Sequence, residues 1–214
     1  MQQHNQQELP KLKDGEFVPY PLAPNVGFIL GKLPEQFVPE LKNIKTGQHF
    51  EQSLVGHLEK EFEVHFSDEL SKFLIMKSYD LEQQIGYGHR TLNGVVNLDT
   101  LPEPRITSSW INYQKKHDFN PPHNHTGLYS FVIWHKIPYN LEDEMNTYPN
   151  LRKGECRSSL FCFLNGNVET ALHLDKCHEN YMAVFPSHLM HYVAPFYTSD
   201  DYRISFSGNI SFET

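Results

Sequence analysis

YMAVFPSHLMHYVAPFYTSDDYRISFSGNISF, residues 181–212, is the stretch that decides the fold class. Tyr181–Phe185 is a short apolar run closed by Pro186-Ser187. Tyr192–Phe196 is a second run, and Arg203–Phe212 a third after the polar turn Thr198-Ser199-Asp200-Asp201. The pattern reads strand, turn, strand, turn, strand. Working upstream, Ser158–Leu164, Leu128–Ile137 and Ile106–Tyr113 repeat it. So many short strands between turn signals predict a sandwich or a closed barrel. With 39% hydrophobic and 13% aromatic residues the chain has enough apolar surface to build such a core.

Before about residue 105 the period changes. Phe17–Leu30 reads as a first strand with turns. Leu33-Pro34-Glu35 opens a helix with Phe37, Leu41 and Ile44 on one side, and Ser53–Phe62 gives a second, with Leu54, Leu58 and Phe62 four apart. Ser67 is placed to cap a third, with Asp68 and Glu69 in its first turn and Leu70, Phe73, Leu74 and Met76 as its apolar side. The expected organisation is a polar, Gln-rich, extended or loose arm over 1–15, a mixed and mainly helical part over 16–104, and a β core over 105–214. The last two are expected to share one core.

Composition removes several function classes. A net charge of -8 argues against a general nucleic-acid binder, which needs a surplus of Lys and Arg. Cys156, Cys162 and Cys177 are odd in number and contain no CxxC pair, which argues against a disulfide framework or a Cys-rich zinc site. Reduced thiols, an N-terminus without an apolar signal region and the lack of a membrane-length apolar run lead us to expect a cytoplasmic protein with no membrane association.

Two places can carry chemistry. In Pro121-Pro122-His123-Asn124-His125-Thr126-Gly127, an extended backbone would put His123 and His125 on one face, two imidazoles side by side. That geometry chelates a metal if a third ligand arrives, though imidazole does not choose among Fe, Zn, Cu and Ni. The plainer alternative is two surface histidines in a Pro-rich turn. Near the C-terminus, His191 opens a strand and is a better third ligand than His188, which falls in the turn. On the last strand Arg203, Ser205 and Ser207 share a face opposite Ile204 and Phe206. An inward Arg203 needs an anionic partner. That partner could be a ligand carboxylate, or Asp200 or Asp201.

Taken together, Ser109-Trp110-Ile111-Asn112, Pro122-His123-Asn124-His125, Phe185-Pro186-Ser187 with His191, and Arg203-Ile204-Ser205-Phe206-Ser207 resemble the Fe(II)/2-oxoglutarate-dependent dioxygenase superfamily. They are most similar to its small oxygenases from bacterial and phage genomes. The resemblance implies a double-stranded β-helix, or jelly roll, in agreement with the strand pattern. It implies Fe(II) at His123, His125 and His191, and 2-oxoglutarate whose far carboxylate meets Arg203 and Ser205. In some members the strand before the HxH also touches the cosubstrate, which points to Asn112 and Tyr113. Hydroxylation is the implied outcome.

One departure matters. The superfamily usually has Asp or Glu where this chain has His125. Asp118 or Asp175 could supply a carboxylate from elsewhere, or His125 could itself be the first ligand with the carboxylate missing, as in the related halogenases. A cupin-type metalloenzyme that does not use 2-oxoglutarate is the rival enzyme class. It expects a Glu shortly after the HxH, and residues 127–131 offer none. A binding module with incidental histidines is the non-enzymatic rival. The prime substrate, a small molecule or a protein side chain, is not legible in the sequence, and neither is the oligomeric state.

Overall fold

The computed structural model describes residues 9–49, 56–86, 103–148, 150 and 156–212. Among these residues twelve strands form two antiparallel sheets. In chain order they are β1 (Phe17–Ala23), β2 (Val26–Lys32), β3 (Thr46–His49), β4 (Lys60–Val64), β5 (Arg105–Gln114), β6 (Asn120–His123), β7 (Tyr129–Lys136), β8 (Phe161–Asn165), β9 (Val168–Leu172), β10 (Tyr181–Pro186), β11 (Met190–Val193) and β12 (Arg203–Ser211). The large sheet has the order β1-β2-β10-β7-β12-β5-β4-β3, and the small one β6-β11-β8-β9. From β5 onward the chain passes back and forth between the sheets, which makes the double-stranded β-helix expected from the sequence. The α-helices among the described residues are α1 (Val38–Asn43), α2 (Asp68–Ile85) and α3 (Leu141–Asn146).

Strand alternation divides the core in two. On β7, Val132 and Trp134 face the small sheet and share a cluster with its Phe161 and Phe163 and with Phe185 of β10. Phe131 and Ile133 face the other way and are covered by Leu70, Leu74 and Leu81 of α2. That helix starts where the sequence placed it: the Ser67 hydroxyl accepts from the Leu70 N–H at 3.2 Å. It ends at Gly86, in the left-handed conformation.

Three expectations need correction. Ser53–Phe62 is not a helix over its described part: residues 60–64 form β4, and the stretch 53–55 lies outside the described residues. The four-residue spacing of Leu58 and Phe62 is outweighed by a two-residue alternation, in which Phe62 and Val64 enter the core and Glu61 and Glu63 turn away. The part before residue 105 is also less helical than expected, because it contributes β1 to β4 to the large sheet, two strands on either side of β10-β7-β12-β5. Finally, of the extended or loose arm expected over 1–15, residues 9–12 are held against the core and are not loose. Leu9 and Leu12 pack on the core, and the Leu12 N–H donates to the Tyr181 hydroxyl at 2.8 Å.

Candidate metal centre and cosubstrate pocket

His123 is the last residue of β6, and His191 sits directly opposite it on β11. The chain leaves the strand after His123, but the His125 N–H donates to the Ser187 carbonyl at 2.8 Å and keeps its ring turned inward. The ring centroids lie 4.4 Å apart for His123–His191, 4.9 Å for His123–His125 and 5.0 Å for His125–His191. One nitrogen from each lies within 4.8 Å of the others. His188 is outside this group. So are both alternative carboxylates: Asp118 accepts from the Lys115 N–H, and Asp175 caps a turn at Cys177. Asp175, Cys177 and His178 make the second such cluster among the described residues, held together as a capping box.

The rings are prepared for a cation. His123 Nδ1 lies 2.7 Å from the Pro121 carbonyl, and His191 Nδ1 2.9 Å from the Leu189 carbonyl. A carbonyl only accepts, so each Nδ1 carries the proton and each Nε2 keeps a free lone pair. Burial holds all three imidazoles neutral. Their mutual repulsion adds to the effect, and His125 is pushed down to about 4 and His191 to about 3. Three neutral nitrogen donors on one side of a point fit a divalent transition metal and leave the other side open.

The opposite wall of the same pocket is formed by β5 and β12. Asn112, Gln114, Arg203, Ser205 and Ser207 line it, as the shared face of the last strand predicted. Trp110, Trp134 and Phe161, which look like plain core in the sequence, line it too, and Trp110 lies 5.5 Å from the His125 ring. Tyr113 does not come to the pocket. It is one residue out of phase with Asn112, and its ring packs against Phe62 and Tyr202 on the far side of the sheet.

Arg203 is buried, and neither nearby aspartate pairs with it: Asp200 binds Lys116 and Asp201 binds Lys136. Its donors are filled instead by neutral acceptors. Nε and Nη2 both reach Gln114 Oε1, at 3.0 and 2.7 Å. Nη1 reaches the Tyr139 hydroxyl at 2.7 Å and the Ser159 carbonyl at 3.2 Å, and Nη2 also reaches the Ala194 carbonyl at 3.0 Å. The guanidinium is fully hydrogen-bonded while its charge has no counter-ion among these partners.

A family model described as "Putative 2OG-Fe(II) oxygenase" matches residues 108–209, the span that contains all three histidines, Arg203 and both walls of the pocket. The match places the β5–β12 barrel in the 2OG-Fe(II) oxygenase superfamily. The enzyme therefore works with Fe(II) and 2-oxoglutarate. Its fold is similar to that of a Pseudomonas putida prolyl-4-hydroxylase (TM-score 0.50, 13% identity, covering 88% of this chain and 94% of that one). A Trichoplax adhaerens prolyl hydroxylase, solved with a hypoxia inducible factor peptide, aligns at TM-score 0.47 and 14% identity over 86% of this chain and 82% of that one. A Burkholderia pseudomallei oxidoreductase of the 2OG-Fe(II) oxygenase family aligns at 0.46 and 10%, over 91% and 84%. No curated protein matches the chain.

Sequence reasoning missed two residues of the oxygenase's pocket region. Gln114 could have been found, since it is two residues on from Asn112 and so on the same strand face. Tyr139 carried no such signal. It follows β7 in a loop, and the fold alone brings its hydroxyl to Arg203.

Proposed function

We propose that this oxygenase is a hydroxylase whose iron is held by the Nε2 atoms of His123, His125 and His191. The far carboxylate of 2-oxoglutarate is received by Arg203 and Ser205. The observation that carries the reading is that one pocket joins three neutral imidazoles to a single buried guanidinium without a counter-ion. Loaded with iron, such a site couples decarboxylation of 2-oxoglutarate, giving succinate and CO₂, to insertion of one atom of O₂ into a substrate C–H bond.

The chain's own residues set the geometry. The backbone carbonyls of Pro121 and Leu189 fix two imidazoles in the metal-binding tautomer. Asn112 Nδ2 is 3.4 Å from Ser205 Oγ and orients that hydroxyl. To admit a carboxylate, Arg203 must release an acceptor. Gln114, whose Nε2 donates to the Asp118 carbonyl, is the acceptor in the pocket wall that a carboxylate would displace, because two of the other acceptors are backbone carbonyls and Tyr139 is fully buried behind them. Trp110, Trp134 and Phe161 keep the pocket dry. Tyr113, on the far face, has no part in this scheme.

Arg203→Ala should weaken 2-oxoglutarate binding by about 2–5 kcal/mol, the cost of truncating one partner of a buried charged pair. Arg203→Lys should restore only part, since a point charge cannot make the fork contact. Iron affinity should survive both. The measurement is titration of the iron-loaded, oxygen-free protein with 2-oxoglutarate, followed by its charge-transfer absorption. Unchanged affinity in Arg203→Ala would move the anchor elsewhere.

The prime substrate is a small molecule or a protein side chain. No described helix is long and apolar enough to cross a membrane. The three free cysteines support a reducing, cytoplasmic location.

A further inference from the structure

A row of side chains crosses the pocket side of the large sheet. Ser205 on β12 pairs with Asn112 on β5, and Asn112 pairs with Glu61 on β4. Directly paired residues project to the same face. At Ser205 and Asn112 that face is the pocket wall, so Glu61 extends the wall one strand further, beside the pocket-lining Leu58. Phe62 and Val64 point away, into the core beneath α2.

Glu61 and Asn112 are both in an unusual state. Glu61 is 7% exposed and has no hydrogen-bond or ion-pair partner among the described residues. Burial alone pushes its carboxyl up to about 7. Asn112 is 8% exposed, and its Oδ1 is buried with no partner while its Nδ2 is directed to Ser205. A buried acceptor left without a donor, as Asn112 Oδ1 is, costs about 1–3 kcal/mol, and native structures keep few of them. The lone pocket-lining cation among the described residues, Arg203, has its donors filled. It also lies two strands and one residue pair away, on the order of 12 Å at sheet spacings.

Neither cofactor supplies what this corner lacks. Iron belongs to the histidines across the pocket, and 2-oxoglutarate is a dianion that a Glu61 carboxylate repels. What remains is the molecule to be oxidised. We propose that Glu61 and Asn112 recognise a cationic N–H donor on the prime substrate, an amine or guanidinium such as a lysine or arginine side chain carries. The group docks with Glu61 as counter-ion and Asn112 Oδ1 as second acceptor, which leaves the adjoining carbon chain to run toward the metal. The same chemistry serves a free basic amino acid and a basic residue in a peptide. The assignment rests on the reading of this pocket as the oxygenase site.

The test uses the full chain, loaded with Fe(II) and saturated with 2-oxoglutarate without oxygen. Probes are L-lysine, L-arginine, short peptides with a central Lys or Arg, and the neutral counterparts Nε-acetyl-lysine and norleucine. Binding is read by calorimetry and by the shift of the charge-transfer band. A basic probe, free or within a peptide, should bind while its neutral counterpart does not. The free and peptide arms distinguish the two sources. Glu61→Gln, nearly isosteric, should weaken that probe at least tenfold and leave the affinities for iron and 2-oxoglutarate unchanged. Asn112→Leu should weaken it as well. Equal binding by neutral probes, no binding by any basic probe, or an unaffected Glu61→Gln would overturn the proposal while the oxygenase assignment stands. Failure of the parent protein to bind 2-oxoglutarate would bring both down, and that titration is done first.

Discussion

Gln114 and Arg203 meet because they are register partners on β5 and β12. The neutral amide oxygen satisfies the fork of the guanidinium and leaves its charge for an incoming anion. Gln114→Glu would supply that anion permanently. We expect 2-oxoglutarate affinity to fall at least tenfold, about 1.4 kcal/mol, with iron affinity unchanged. An unaltered titration would mean that this fork is not where the cosubstrate sits. Glu61 gives a residue-scale prediction about stability. Its folded-state pKa is raised, from 4.5 to about 7, so the folded protein holds this proton more tightly than the unfolded chain. The associated stability is complete below pH 4.5 and is lost as pH rises through 7, in total of order 2–3 kcal/mol. Relative to the parent, Glu61→Gln should therefore gain stability by roughly that amount at pH 8 and gain nothing from this source near pH 4.5. Denaturant unfolding at the two pH values measures the difference, and the same offset at both would exclude the mechanism. At this scale the sequence was informative about types and poor about faces. The HxH and the Arg-x-Ser were legible because each is a local pattern. Tyr113 was chosen beside Asn112 although adjacent strand residues face opposite ways, and without the register neither face could be assigned to the pocket.

At the scale of elements, strand runs were readable wherever apolar residues cluster between turn signals. β5, β7 and β12 came out within a residue or two at each end. The short strand β6, Asn-Pro-Pro-His, lacks that signature and exists because β11 pairs with it. β4 was misread for a related reason: Leu54, Leu58 and Phe62 recur at helical spacing, and the two-residue alternation of the strand wins only once β5 is there to pair with. α2 was legible because its start is encoded locally. The Ser67 hydroxyl caps the Leu70 N–H, and Ser67 itself is held by Glu40, at 2.6 Å from both its N–H and its hydroxyl. Ser67→Ala should cost about 1 kcal/mol of global stability, within the 0.5–2 usual for such caps. Ser67→Asp should lose more than a simple cap exchange would, because it sets a second carboxylate against Glu40. Thermal denaturation of the two variants gives the order, and a Ser67→Asp protein as stable as the parent would show that Glu40 is not part of the cap.

At the scale of the whole molecule, the family match covers β5 to β12, the barrel with its histidines and Arg203. In the sequence the part before it reads as mixed and mainly helical, sharing the barrel's core. In the structure β2 pairs with β10 on one flank of the barrel's large sheet, and β4 pairs with β5 on the other. Remove residues 9–104 and two long strands would each present an unsatisfied row of backbone N–H and C=O groups to solvent. Such bare edges are templates for pairing between chains. Expressed alone, residues 105–212 should therefore self-associate into insoluble β-rich material despite containing every proposed iron ligand, whereas the full chain stays dispersed. Light scattering on refolded samples would decide it, and a monodisperse fragment would contradict the expectation. The segment that carries no recognisable motif is, on this view, the chain's guard against aggregation.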